Sequence, residues 1–163
     1  MGISKSIFLI SALILALVEV TLLDLFRVFN VKPDLLLALA VFAAFLFEVK
    51  FVIFFAIFCG FLKDILTINT IGFNILLFTL WCWFIIRINK DMVVEDNRVR
   101  VLFLFIISFL HDITLRLIFL FLGFPISLGL FLRISILKSL YTALFLFFAF
   151  KLVEKIPLLK KCA

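Results

Sequence analysis

The stretch LLLALAVFAAFLFEVKFVIFFAIFCGFLKDIL, residues 35–66, decides how this chain folds. It is apolar except for Glu48 and Lys50 near its middle and Lys63 and Asp64 near its end. Read as one helix, it carries Glu48 and Lys50 to the centre of a bilayer, at a cost of about 2.5–3.5 kcal/mol for each charge. Read as two helices, it turns at Phe-Glu-Val-Lys-Phe and leaves both charges at a membrane surface. The hairpin is the lower-energy reading. Its first arm, 35–47, gives only about 20 Å of helix against a hydrocarbon core of about 30 Å. Extension back through Pro33 and Asp34 lengthens it, since proline suits a first turn and an acid favours a helix N-terminus.

Outward from this hairpin, apolar runs between charges fall at 7–23, 35–47, 51–66, 73–88, 101–122 and 136–153. Six spans follow, or five if 35–66 is continuous. Of the 163 residues, 67% are hydrophobic, 25 are Phe and 16% are charged. Soluble domains run at about 45–50% apolar and about 25% charged, and a soluble fold of this size cannot hide the excess. The expected class is therefore an all-α polytopic membrane protein, one integral membrane domain over residues 1–163. Between 123 and 135, Gly123, Pro125 and Gly129 interrupt the helical pattern. That segment reads either as an external interfacial piece or as a kinked start to the last span.

The apolar run to Val18 is followed by Glu19 without a small-x-small cleavage site, so the first helix is expected to stay. Gly2 and Ser6 fit a myristoylation pattern, but a lipid anchor is redundant where a span begins at once. Net charge is +6. With six spans, one side collects Lys5, Lys50, Arg87, Lys90, Arg98, Arg100, Lys151, Lys155, Lys160 and Lys161, against Arg27, Lys32, Lys63, Arg133 and Lys138 on the other. Ten cations against five place both termini in the cytoplasm by the positive-inside rule. Such flanks face anionic lipid rather than nucleic acid.

Cys59, Cys82 and Cys162 share no metal-ligand spacing and imply no disulfide framework. There is no Gly-rich phosphate loop, GxSxG, HExxH or metal-spaced acid cluster, so neither catalysis nor a cofactor is expected. The small-xxx-small pairs Ala12/Ala16, Ala40/Ala44 and Ala56/Gly60 suggest close helix packing. Asp64 follows Gly60 by one turn, so Ala56, Gly60 and Asp64 share a helix face. Asp64 then caps a neighbouring helix or bonds the turn after it; recognition of a partner is the alternative. Lys63 lies about 100° around the helix and is expected to snorkel to water. In the fifth run, Asp112 and Arg116 are four residues apart, the spacing of an internal salt bridge, with an ion or proton path as the alternative. Glu19 is another possible partner for Arg116. The single His111 cannot build a metal site of the usual kind.

With Lys32-Pro33-Asp34 and PDLLLALAVFAAF (33–45) followed by Gly60-x-x-x-Asp64 and Gly72, the chain resembles the rod shape-determining protein MreD family. That family carries an Arg-Pro-Asp-like start to its second span and a G-x-x-x-D-x-x-S-G-S-x-x-G stretch. Here Thr67-Ile68-Asn69-Thr70 stands where the Ser-Gly-Ser turn is usual. The resemblance implies a non-catalytic inner-membrane scaffold of the cell-elongation complex. Such a subunit binds MreC and helps link MreB filaments to peptidoglycan synthesis by RodA and a penicillin-binding transpeptidase. It also implies that Pro33, Asp34, Ala56, Gly60, Asp64 and Gly72 serve partner binding or helix packing. The family is similar in its six-helix architecture to the substrate-binding subunits of energy-coupling-factor transporters, so a vitamin-uptake subunit is the alternative. Outer loops offering little beyond Asn30, Asn69, Asn74 and Ser127 favour the scaffold.

Overall fold

At Phe47 and Glu48 the chain leaves the helix and turns back. In the computed structural model both residues are extended, with φ -117° and ψ 166° at Phe47 and φ -66° and ψ 150° at Glu48. The Phe47 N–H closes one helix on the Ala43 carbonyl, and the Glu48 carbonyl opens the next by accepting from Val52 N–H, each at 3.0 Å. The hairpin reading of 35–66 therefore holds, and the continuous helix is excluded.

The structure describes residues 5–21, 31–67, 72–91, 97–123 and 128–155. Among them the regular structure is all helical: α1 (Lys5–Thr21), α2 (Leu35–Leu46), α3 (Val49–Leu66), α4 (Phe73–Asp91), α5 (Asn97–Phe121) and α6 (Leu128–Lys155). Most of the Thr67–Thr70 turn, Pro125, Ser127 and Cys162 lie outside the described residues. Two residues past the end of α5 stands Gly123, whose φ of 86° is open to glycine at little strain. α6 begins at Leu128, so Gly129 belongs to the last helix and not to a separate interfacial piece. Among the described residues one helix, Val99–Phe121, is by itself long and apolar enough to cross a membrane.

The short α2 sits at the centre and touches all five other helices. Its sequence is apolar on every side, and Leu35, Leu36, Leu37, Ala38, Ala40, Val41, Ala43 and Ala44 are all buried. Where α2 ends, Phe8 of α1 meets Phe47 and Phe55 at ring-centroid distances of 4.8 and 5.9 Å, an aromatic cluster that closes the hairpin end. The three small-xxx-small pairs are buried. At Gly60 the approach is backbone to backbone: an added Cβ would stand 2.6 Å from Ile75 Cα and 2.9 Å from the Asn74 carbonyl oxygen of α4. The Gly60 space is filled by the chain's own α4.

Polarity runs inside out. Ile14 and Leu17 of α1, Phe54 and Phe61 of α3, Leu80 and Trp83 of α4, Leu117 and Phe121 of α5 and Leu132 and Leu140 of α6 are exposed. Glu19, Asp34, Asp64, Asn74, His111 and Asp112 are buried. An apolar exterior, with the charged and polar groups confined to places inside an otherwise apolar core, is the arrangement lipid selects.

Gly60→Ala is expected to destabilise the purified protein by about 1–3 kcal/mol, because neither backbone can yield to the added methyl. Gly129→Ala, whose Cβ would meet nothing within 4 Å, should be neutral. Unfolding midpoints in detergent compare the two; equal midpoints would refute the α3–α4 contact.

Candidate functional site

The N-terminus of α2 lies where charged side chains of α1, α3, α5 and α6 meet. Asp34 is the N-cap: its backbone is non-helical and its Oδ1 accepts from Leu37 N–H at 3.2 Å. The helix therefore starts at Leu35, with buried Pro33 one residue before the cap rather than inside the first turn. The Asp34 N–H donates to Thr142 Oγ1 of α6 at 3.0 Å, and that hydroxyl donates to the Lys138 carbonyl at 2.8 Å.

Two ammonium groups converge on the same carboxylate. Lys63 Nζ of α3 lies 3.0 Å from Asp34 Oδ1 and also bonds Glu19 Oε1 of α1. Lys138 Nζ of α6 lies 3.5 Å from Asp34 Oδ2 and 2.6 Å from Asp112 Oδ1 of α5. The result is a buried chain of alternating charge, Glu19, Lys63, Asp34, Lys138 and Asp112, drawn from five elements. The partial positive charge at the α2 N-terminus adds to the hold on Asp34.

This geometry corrects two expectations. Lys63 does not snorkel to water: its side chain is 12% exposed and held between two carboxylates. The last turns of α1 and α3 and the first of α2 stand at one level, and the lysine stem reaches inward to them. Nor do Asp112 and Arg116 form the charge pair. Asp112 binds Lys138, while the Arg116 guanidinium lies 5.5 Å from the centre of the Phe131 ring, and Glu19 is held by Lys63. Asp112 is buried toward α6, whereas Arg116 is half-buried at the bundle edge.

Asp64, beside Lys63 in sequence, faces α4. Its Oδ2 accepts from Gly72 N–H at 3.0 Å and Ile75 N–H at 3.2 Å, and its Oδ1 from Asn74 N–H at 3.2 Å and Asn74 Nδ2 at 2.9 Å. One carboxylate thus satisfies donors that the first turn of α4 leaves open. Gly72 reaches this position with φ 87°, a conformation side-chain-bearing residues resist. Ala56, Gly60 and Asp64 do share a face, and that face is covered by α4.

His111 is fully buried with its ring edge-on to Phe78 at 5.2 Å. Cys59 and Cys82 are buried free thiols. Among the described residues no His, Cys, Asp and Glu side chains converge as metal ligands would. Sequence reasoning left out Thr142, placed Lys138 among the outer flank cations and Asn74 in an outer loop, and gave Lys63 and Glu19 other roles; Lys138 joins the ion cluster and Asn74 is buried in the first turn of α4. The available signal was the acids themselves: Glu19, Asp34 and Asp112 each need a cation if buried, and Lys63 and Lys138 are among the few cations that fall inside the apolar runs.

The cluster can lock helices together. A groove of about 590 Å³ lies elsewhere, between α5 and α6, with walls of Val101, Phe105, Leu140, Ala143 and other apolar side chains.

A family model described as rod shape-determining protein MreD matches residues 3–156, nearly the whole chain. No curated protein and no solved structure matches it.

Lys138→Met is expected to lower unfolding free energy by about 3–5 kcal/mol, because it strands Asp112 and half the support of Asp34. Arg116→Met should change it by less than about 1 kcal/mol. Denaturant titration of the solubilised variants checks the order; a larger loss for Arg116→Met would unseat Lys138 as the partner of Asp112.

Proposed function

This chain belongs to the MreD family of rod shape-determining membrane proteins, and from that membership we propose that it is a non-catalytic scaffold of the cell-elongation complex. The observation that carries the reading is the family match over residues 3–156. On this reading the protein crosses the bacterial inner membrane six times with both termini in the cytoplasm. It binds an MreC-type protein and through it acts on cell shape and peptidoglycan synthesis. MreB filaments, RodA and a penicillin-binding transpeptidase are the wider set of partners, and membrane lipid is the solvent.

The physical features suit such a role. A scaffold needs a stiff body and an apolar outer surface on which partner helices can lie. The central α2 and the buried ion chain supply stiffness, and the exposed leucines, isoleucines and phenylalanines supply the surface. Pro33, Asp34, Ala56, Gly60, Asp64 and Gly72 contribute from inside, by fixing where α2 and α4 start and how closely α3 and α4 approach. Their effect on a partner is transmitted through the position of the helices. The bundle is read as similar in plan to the substrate-binding subunits of energy-coupling-factor transporters. The apolar groove, however, offers a polar vitamin nothing to bond.

Tagged protein extracted in mild detergent should bring down the MreC-type protein of the same cell, and Asp64→Ala should weaken that recovery several-fold by loosening α4. Saturable vitamin binding without partner recovery would replace the scaffold with the uptake subunit. For topology, a membrane-impermeant maleimide should label Cys162 in inside-out vesicles and leave it unlabelled in spheroplasts. Labelling in spheroplasts would reverse the placement of the C-terminus.

A further inference from the structure

The ion chain does not balance. Glu19, Asp34 and Asp112 supply three carboxylates, and Lys63 and Lys138 supply two ammonium groups. One negative charge is left over inside the bundle, where desolvation makes an uncompensated ion strongly unfavourable. A second observation marks where it lies. Glu19 Oε2, Asp34 Oδ2 and Asp112 Oδ2 are buried and make no hydrogen bond among the described residues. Asp34 stands between two ammonium groups and also caps α2, so it keeps its charge. The excess belongs to one of the ends, each of which holds a single lysine.

The ends differ. Glu19 is 3% exposed, and the lysine it binds is 12% exposed. Asp112 is 6% exposed, and its lysine is 21% exposed. The Glu19 end is the drier one. The charges facing Glu19 are Lys63 from α3, Asp34 from the α2 cap and Lys138 from α6. From α5, Asp112 and His111 act on Asp34, Lys63 and Lys138. His111 does not supply the missing cation: neither ring nitrogen has an acceptor, so an imidazolium would bury two unpaired N–H groups. A hydrated metal ion or a partner's side chain cannot reach oxygens buried this completely, whereas a proton can.

We infer that Glu19 holds a proton in the folded protein at neutral pH, so that the ion chain is electroneutral inside the membrane. The proton comes from water and forms an O–H bond at Oε2, while Oε1 goes on accepting from Lys63. The site goes beyond the scaffold reading and does not depend on it: it is a proton-binding position built from α1, α2, α3, α5 and α6 together.

Infrared spectroscopy of the full-length protein in lipid nanodiscs reads the protonated carboxyl directly, through a carbonyl band that shifts in heavy water. The band is expected in the wild type at neutral pH. It should vanish in Glu19→Gln, where the group is gone. It should also vanish in Asp112→Asn, because two carboxylates then face two ammonium groups and Glu19 ionises against Lys63. Glu19→Gln should melt at the wild-type temperature at neutral pH and lose the fall in stability on raising pH. That direction follows because a group protonated only in the folded state withdraws stability as pH rises. No band in the wild type, or a band that survives in either variant, overturns the assignment. Carboxyl-13C labelling of glutamate alone should lower the wild-type band and needs no variant to fold; a band left in place would put the proton on Asp112 and overturn the assignment.

Discussion

Everything in this bundle depends on one carboxylate standing between two ammonium groups at the start of its shortest helix. Asp34 caps α2 through Leu37, receives Lys63 from one side and Lys138 from the other, and ties its own N–H to Thr142. In lipid, helices gain little by hiding apolar surface from one another, so the forces that choose a single packing are close van der Waals fit and polar contact. Here they act at different places. Small residues set how near the helices come, and the ion chain sets which helices meet and at what level. Neither suffices alone, because an alanine face fits many neighbours and a buried charge accepts only an opposite one.

The bundle is accordingly asymmetric along its length. Phenylalanine rings from α1, α2, α3 and the α2–α3 turn fill one end. Charge fills the other. α2 joins the two, apolar at its C-terminal end and ionic at its cap. Asp64 repeats the device on a smaller scale, as a side chain of one helix that ends by organising the first turn of the next. Lys63 and Asp64 are consecutive and point to different neighbours, so one turn of α3 governs both junctions.

How much of this was legible depended on the range over which each feature acts. The hairpin could be read because Glu48 and Lys50 sit two positions apart in an apolar run, a local conflict with a local solution. The shared face of Ala56, Gly60 and Asp64 could be read because helical spacing alone sets it. Lys63 was misjudged because periodicity gives its direction on its own helix and not what stands opposite. Asp112 was assigned to Arg116 because four-residue spacing is visible in sequence, while Lys138 is 26 positions away and meets it only through packing of α5 on α6. Glu19 and Asp34 gave the same kind of warning: an acid in an apolar run announces a cation without naming it.

The span of the ion chain along the sequence bears on how the protein is made. Neighbouring helices pair early, since their contacts are local and fast to form. The link between Asp34 and α6 crosses 108 positions and waits for the last helix to be made and packed. Until then Lys138 is missing, and the partly built bundle carries two more carboxylates than ammonium groups. Arrival of α6 brings Lys138 and halves that excess, leaving one negative charge for a proton to cancel. A chain stopped short of it keeps both unmatched charges: only the whole set of helices gives its acids their cations.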